Sequence, residues 1–297
     1  MISPGEWGNL IASNYCEGLG DLNGSFFFHT CRHMGDGIYN YRFLGAKEQV
    51  DNFNPDWLYV QAEPGSIVAS EAIKWKAKKR AIFTWENIGL KGGEVDLPMY
   101  DLVVCGNPEA IELVRPFNPK THLMLQVGLN ADHLCARPDV PRDIKVAYIG
   151  RKAAEKGLPY LLQAWPTVKI MDWVNYSEIP WVYSQVDVVV AYSQDVPYWR
   201  EQAPNYIVLE ALLCGCKAVV SDTAASRYWL GGCPGVVETP GHKQEGPHLD
   251  LLRINCLRDD IKWLLDVDVQ EFGREWVKGR FSNQVMAKEL VEVLRNA

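Results

Sequence analysis

Glu210 stands inside an apolar run, YIVLEALLC at residues 206–214, where a carboxylate is costly to bury unless something polar meets it. Two outcomes are open to such a group: a structural partner such as a nearby arginine, or a ligand that brings hydroxyls. Pro204 and Asn205 precede the run, and Asn205 is a predicted N-cap, so the amides of the next turn would point out of the helix start toward an anion. A second set of residues stands at 150–157, GRKAAEKG, between a predicted strand at 145–149 and a predicted helix at 158–165. Arg151 and Lys156 there have the charge, and the adjoining helix start has the amides, that phosphate oxygens bind. Taken alone, the two cations are read equally well as solvated loop residues. The segment lacks the GxxxxGK[ST] pattern and is not a P-loop. Weaker signals lie near the N-terminus. Gly5 and Gly8 in the turn at 3–8 would let backbone amides approach a ligand, and His29, Cys31 and His33 alternate as on a strand. No second pair of metal ligands accompanies those histidines, so they are read as site-lining or structural polar residues, and no metal is expected.

The elements that must position these residues read as strands alternating with helices. Strands are expected at 25–30, 55–61, 81–85, 100–105, 122–127, 145–149, 168–174, 187–192, 217–221 and 235–238, with helices at 66–79, 158–165, 176–185, 206–214 and 281–297. That alternation predicts an α/β fold with parallel sheets, and ligands in such sheets sit beyond the carboxyl ends of the strands. The rule singles out residues 61–65 and 86–89, including Glu86. The proline-bearing, weakly apolar segment 136–142 is the predicted domain boundary. With 297 residues the chain is long enough for two domains.

Charge narrows the partners. Residues 1–140 carry 12 Lys/Arg against 17 Asp/Glu, a net of −5, and the remainder carries −2, so no global basic balance draws the chain to nucleic acid or anionic lipid. One local exception is Lys74, Lys76, Lys78, Lys79 and Arg80, read first as a cationic helix end favoured by the helix dipole and second as a membrane or nucleic-acid patch. Eight cysteines without a CxxC pair read as reduced thiols of a cytoplasmic protein, and no apolar stretch reaches the length of a membrane span or a signal peptide.

Three segments in this order resemble the nucleotide-sugar-dependent glycosyltransferases of the GT-B fold, specifically retaining family 4. They are Gly128-Leu129-Asn130 with Leu134, then Gly150-Arg151 with Glu155-Lys156-Gly157, and then EQAPNYIVLEALLCGCKAVVSD from residue 201. The resemblance implies two Rossmann-like domains facing each other across a cleft: 1–138 on the acceptor side, 139–280 on the donor side, and a helix at 281–297 that crosses back. It implies that Arg151 and Lys156 hold the donor diphosphate, that Glu210 accepts hydrogen bonds from the ribose, and that the first carboxylate of the family's Glu-x7-Glu pattern faces the transferred sugar.

That pattern puts the first Glu at position 202, where this chain has Gln202, with Glu201 one residue earlier; either side chain is a candidate for the place. The loop Ala203-Pro204, with Asn205 and Tyr206 at the helix start, would complete the sugar and phosphate contacts. The family has a further strand and helix where this chain has 165–168, so the base pocket is expected to be rebuilt around 172–175, with Trp173 and Val174. His29 and Glu86 are candidates for contacting sugar or acceptor. The implied activity is transfer of a hexosyl group from a UDP- or GDP-linked donor, without cofactor or metal, to a hydroxyl of a glycan, a lipid-linked or small molecule, or a hydroxymethylated DNA base. The alternatives are an epimerase or phosphorylase-like enzyme on the same architecture, and a nucleotide-sugar-binding protein with weak catalysis.

Overall fold

The computed structural model describes residues 39–171, 174–240 and 247–297, with side chains from residue 250 in the last stretch, and the backbone alone of five short strand segments before residue 39. Two compact units divide the chain. The first is 1–105 with 110–124 and residue 297; the second is 106–109 with 125–296.

The first unit holds a four-stranded parallel sheet in the order β4-β3-β2-β1, built from β1 (Trp57–Val60), β2 (Lys79–Thr84), β3 (Leu102–Cys105) and β4 (Thr121–Leu123). Every residue of β3 is buried, the continuous apolar run expected of a parallel strand covered on both faces. Ile82, Val103 and Cys105 pack with Val68, Ala69, Ala72 and Trp75 into one core. Asn118 ties the return to β4: its amide donates to the carbonyls of Leu97 at 2.9 Å and Tyr100 at 2.8 Å.

Helix α2 is shorter than its sequence suggests. After α1 (Ala46–Phe53), α2 (Ile67–Ala72) starts at Ser66, whose hydroxyl accepts from the Ala69 amide at 3.1 Å, and it stops six residues later instead of running to 79. The cause is downstream. Arg80 donates to the carbonyls of Ala72 and Trp75 at 3.4 and 2.5 Å, which takes up the helix end while Trp75 turns into the core. Lys78 pairs with Asp56 at 2.5 Å and Lys79 lies 5.2 Å from the Trp57 ring, so three of the five cations in that run are engaged within the unit. Because α2 ends at Ala72, residues 74–80 are not the cationic last turn of a helix, and Lys78, Lys79 and Arg80 are held by contacts within the unit.

The second unit is a five-stranded parallel sheet. Its strands are β5 (Ile144–Ile149), β6 (Lys169–Met171), β7 (Val186–Ala191), β8 (Lys217–Ser221) and β9 (Val236–Thr239), in the order β6-β5-β7-β8-β9. The chain leaves β5 toward β6 on one side and returns to β7 on the other. The connections after β5 and β7 therefore run toward opposite edges of the sheet, a switch point beyond whose carboxyl ends ligands sit in open parallel sheets. Helix α3 (Pro108–Val114) follows β3, and helices α4 (Leu158–Ala164), α5 (Ile179–Ser184), α6 (Tyr206–Leu213), α7 (Ala224–Leu230) and α8 (Pro247–Asp266) accompany the strands of the second sheet. In α8, Ile254, Leu257, Ile261 and Leu264 are buried against Val188, Val190 and Val219 at helical spacing.

The terminal helix expected at 281–297 is α10 (Asn283–Asn296); before it stands α9 (Gln270–Phe281), so Phe281 ends one helix instead of opening the other. Residues 127–130, ahead of the segment 136–142, are tied into this unit. The Leu129 amide donates to the Phe281 carbonyl at 2.8 Å, and a Cβ on Gly128 would lie 2.7 Å from the Asn283 Cα.

Candidate functional site

The β5/β7 switch point brings the two sequence motifs together. The loop after β5 opens at Gly150 and tightens into a 3-10 turn at Ala154–Lys156. Gly157 then turns into α4 with φ +67°, and a Cβ there would stand 1.9 Å from the Tyr192 carbonyl, so only glycine fits. The Gln194 amide donates to the Glu155 carbonyl at 2.8 Å and binds this loop to the one after β7.

Lys156 reaches across that junction to Glu201, with Nζ 2.9 Å from Oε2. The same oxygen accepts from the Asn205 amide at 3.0 Å and from the Ser193 hydroxyl. Glu201 is 7% exposed, and three donors meet its charge. On another side of Lys156 is the Trp199 ring, its centroid 4.6 Å from Nζ. Arg151 is set differently: its side chain is 67% exposed and pairs with Glu155 at 2.7 Å, one turn along the same loop.

The start of α6 corrects one expectation. Asn205 occupies the N-cap position, but its backbone is at φ 56°, ψ 99° and its side chain makes no capping bond. Its amide is turned to Glu201 instead, which leaves the first amides of α6 without a side-chain cap. Gln202 is engaged through its backbone, its carbonyl accepting from Asn107 Nδ2 at 3.2 Å. Between the two candidates for the first-carboxylate place, Glu201 is the one that meets Lys156. Pro204 is buried, and Ala203 and Val174 are half-buried. Tyr206 places its hydroxyl 3.4 Å from both the amide and the carbonyl of Val127, and burial pushes that phenol up to about 12.

Glu210 lies one turn further along α6, and among the described residues no arginine pairs with it. Tyr183 donates to its Oε2 at 3.4 Å, and burial pushes the Glu210 carboxyl up to about 7. Tyr183 is fully buried, with its phenol driven well above the ordinary value by burial, and its carbonyl accepts from the Cys216 thiol at 3.1 Å. Nothing in the sequence pointed to Tyr183 or Trp199. Both are ordinary aromatic residues until the chain folds, and their roles follow from positions 27 and 43 residues away from the groups they touch.

In the first unit, Glu86 lies just past the carboxyl end of β2, as expected, and is 3% exposed. It accepts from the Tyr39 hydroxyl and pairs with Lys91 at 2.8 Å. Beside it Glu63 accepts from the Thr84 hydroxyl at 2.5 Å and the Trp85 amide at 3.0 Å, and burial raises its carboxyl above the usual range. Gly5, Gly8, Trp173 and the side chain of His29 lie outside the described residues. Among the described residues, no group of His, Cys, Asp and Glu is arranged to hold a metal ion.

No protein-family model matches the chain, and no curated protein sequence does so either. Solved structures do match. A glycosyltransferase from Rickettsia africae superposes with a TM-score of 0.64 at 15% identity, over 84% of this chain and 80% of that one. Sucrose-phosphate synthase from Thermosynechococcus elongatus gives 0.62 at 16% identity, over 81% of this chain and 73% of that one. HepE from Anabaena, solved in complex with UDP, gives 0.60 at 12% identity, over 84% and 81%. At these identities the likeness is one of fold. The chain has the α/β architecture of GT-B glycosyltransferase structures, with a parallel sheet in each of its two units.

Proposed function

We propose that the chain is a retaining, nucleotide-sugar-dependent glycosyltransferase of family 4 type that moves a hexosyl group from a UDP- or GDP-linked donor to an acceptor hydroxyl. The observation that carries this reading is the Lys156–Glu201–Asn205 constellation at the β5/β7 switch point, directly before the uncapped start of α6. The UDP found with the structurally similar HepE supports the choice of donor class.

Departure of a nucleoside diphosphate builds negative charge on the leaving oxygen. Lys156, Arg151 and the first amides of α6 supply positive charge there, so no metal is needed. Glu210 accepts from the ribose hydroxyls, with Tyr183 holding its carboxyl in place. Glu201, with Ala203 and Pro204, faces the transferred sugar. Val174 borders the base. Glu86 in the first unit is a candidate for contacting sugar or acceptor; the acceptor is a glycan, a lipid-linked or small molecule, or a hydroxymethylated DNA base, and the work is done in the cytoplasm.

Calorimetric titration with UDP and with GDP tests the donor site. A charge-assisted bond to phosphate contributes about 1.5–3 kcal/mol, so Lys156→Ala is expected to weaken the preferred nucleotide by roughly 10- to 100-fold. Arg151→Ala is expected to lower transfer as well. If both variants bind the nucleotide and turn over saturating donor like the wild type, the phosphate assignment is wrong.

A further inference from the structure

We infer that Trp199 is a positioning residue of the donor site, holding the Lys156 ammonium in place while its anionic partner changes from Glu201 to the donor diphosphate. The inference rests on the donor-site reading above. Both cations of that reading are paired with carboxylates, Lys156 with Glu201 at 2.9 Å and Arg151 with Glu155 at 2.7 Å. A diphosphate arriving there must take the place of a carboxylate on each cation it uses. Glu201 keeps two partners through that exchange, Ser193 and Asn205. Lys156 keeps one, the Trp199 ring at 4.6 Å, which attracts a cation through its face whichever anion sits opposite.

The ring is placed for that task by a closed turn. Val196 and Trp199 exchange both backbone hydrogen bonds, at 2.9 and 3.1 Å, so residues 196–199, part of the segment between β7 and Glu201, form a closed turn. Arg200, next in sequence, pairs with Glu109 at 3.2 Å and anchors the loop's exit. A lysine side chain otherwise carries wide rotamer freedom, and a ring that restricts it lowers the ordering cost of binding the phosphate. Tyr198, the neighbouring aromatic residue, is 74% exposed and serves as an internal comparison.

The test is calorimetric titration of UDP and GDP into the wild type, Trp199→Ala, Trp199→Phe, Tyr198→Ala, Lys156→Ala and the double variant Trp199→Ala/Lys156→Ala. Trp199→Ala is expected to weaken the preferred nucleotide ~3- to 30-fold, the range of a cation–π contact from exposed to desolvated settings. Trp199→Phe, which keeps a ring face, recovers at least half of the loss on a logarithmic scale, and Tyr198→Ala binds like the wild type. In the double variant the Trp199 effect disappears, because there is no ammonium left to position. A purely structural role for Trp199 predicts additive losses and no rescue by Phe. Wild-type affinity in Trp199→Ala, or full additivity with Lys156→Ala, overturns this inference and leaves the donor site standing if Lys156→Ala alone weakens binding. Absence of any nucleotide binding by the wild type overturns both. Should Trp199→Ala fail to fold, Trp199→Phe against Trp199→Leu in the same cycle gives the same decision.

Discussion

Glu210→Gln is the substitution whose outcome depends most directly on the local environment of α6. Burial raises the Glu210 carboxyl from an ordinary 4.5 to about 7. The folded state therefore holds a proton between those values that the unfolded chain releases, and stability falls as pH rises through the window. The full effect is present below pH 4.5 and lost above pH 7. At 1.36 kcal/mol per pH unit, ionising Glu210 costs the folded protein roughly 3 kcal/mol at pH 8. Glutamine keeps the shape and an oxygen for the Tyr183 hydroxyl but carries no charge to desolvate. The variant is therefore expected to be more stable than the wild type at pH 8 and nearly equal to it at pH 5. For a unit of this size, 3 kcal/mol corresponds to about 6–12 °C in melting temperature. Thermal melts of both proteins at pH 5, 6, 7 and 8, comparing the same transition, give the difference directly. A gap that does not change with pH, or a variant less stable at pH 8, would show that Glu210 is ionised and well solvated or that its charge is met by another group. The same melts in saturating UDP add a second reading: if Glu210 receives ribose hydroxyls, the wild type gains more from the nucleotide than the variant does.

Three further outcomes are expected. Gly157→Ala puts a Cβ 1.9 Å from the Tyr192 carbonyl at φ +67°, so it should cost at least about 2–3 kcal/mol by urea denaturation and abolish nucleotide binding with it. Asn118→Ala leaves the Leu97 and Tyr100 carbonyls without their shared donor inside the first unit. A loss of about 3 kcal/mol or more is expected, visible as faster amide exchange in β3 and β4 but not in β7 and β8. Replacing Lys74 and Lys76 by Gln should leave retention on heparin and on anionic vesicles unchanged, whereas Arg80→Ala should lower the melting temperature of the first unit by removing the cap on α2.

Much of the strand framework was legible because parallel strands are buried on both faces and print as apolar runs. Residues 145–149 and 217–221 of the second unit fall within one residue of β5 and β8. Helix α6 was equally plain, since Asn205 and Gly215 bracket the run that becomes Tyr206–Leu213. The end of α2 was not legible, because it depends on Arg80, which folds back from the next strand onto the Trp75 carbonyl. Nor were α8 and α9 anticipated, although Ile254, Leu257, Ile261 and Leu264 stand at a helical period in the sequence. At the site, charge type and loop position picked out Arg151 and Lys156, and an apolar setting picked out Glu210. Their partners belong to tertiary structure. The pairing of Glu201 with Lys156, the turn of Asn205 away from its cap, and the approach of Trp199 to Lys156 all depend on how the loop after β7 meets the loop after β5.

Residues 106–109, although they follow directly from β3, are counted with the second unit, and two of them have a place in it. The Trp229 indole N–H donates to the Gly106 carbonyl at 2.9 Å, and the Asn107 amide donates to the Gln202 carbonyl at 3.2 Å. A fragment cut to begin at residue 125 would therefore lose the acceptor of a buried indole and the contact that steadies the backbone next to Glu201. Dissection into separately expressed halves would have to carry this tetrapeptide across the cut.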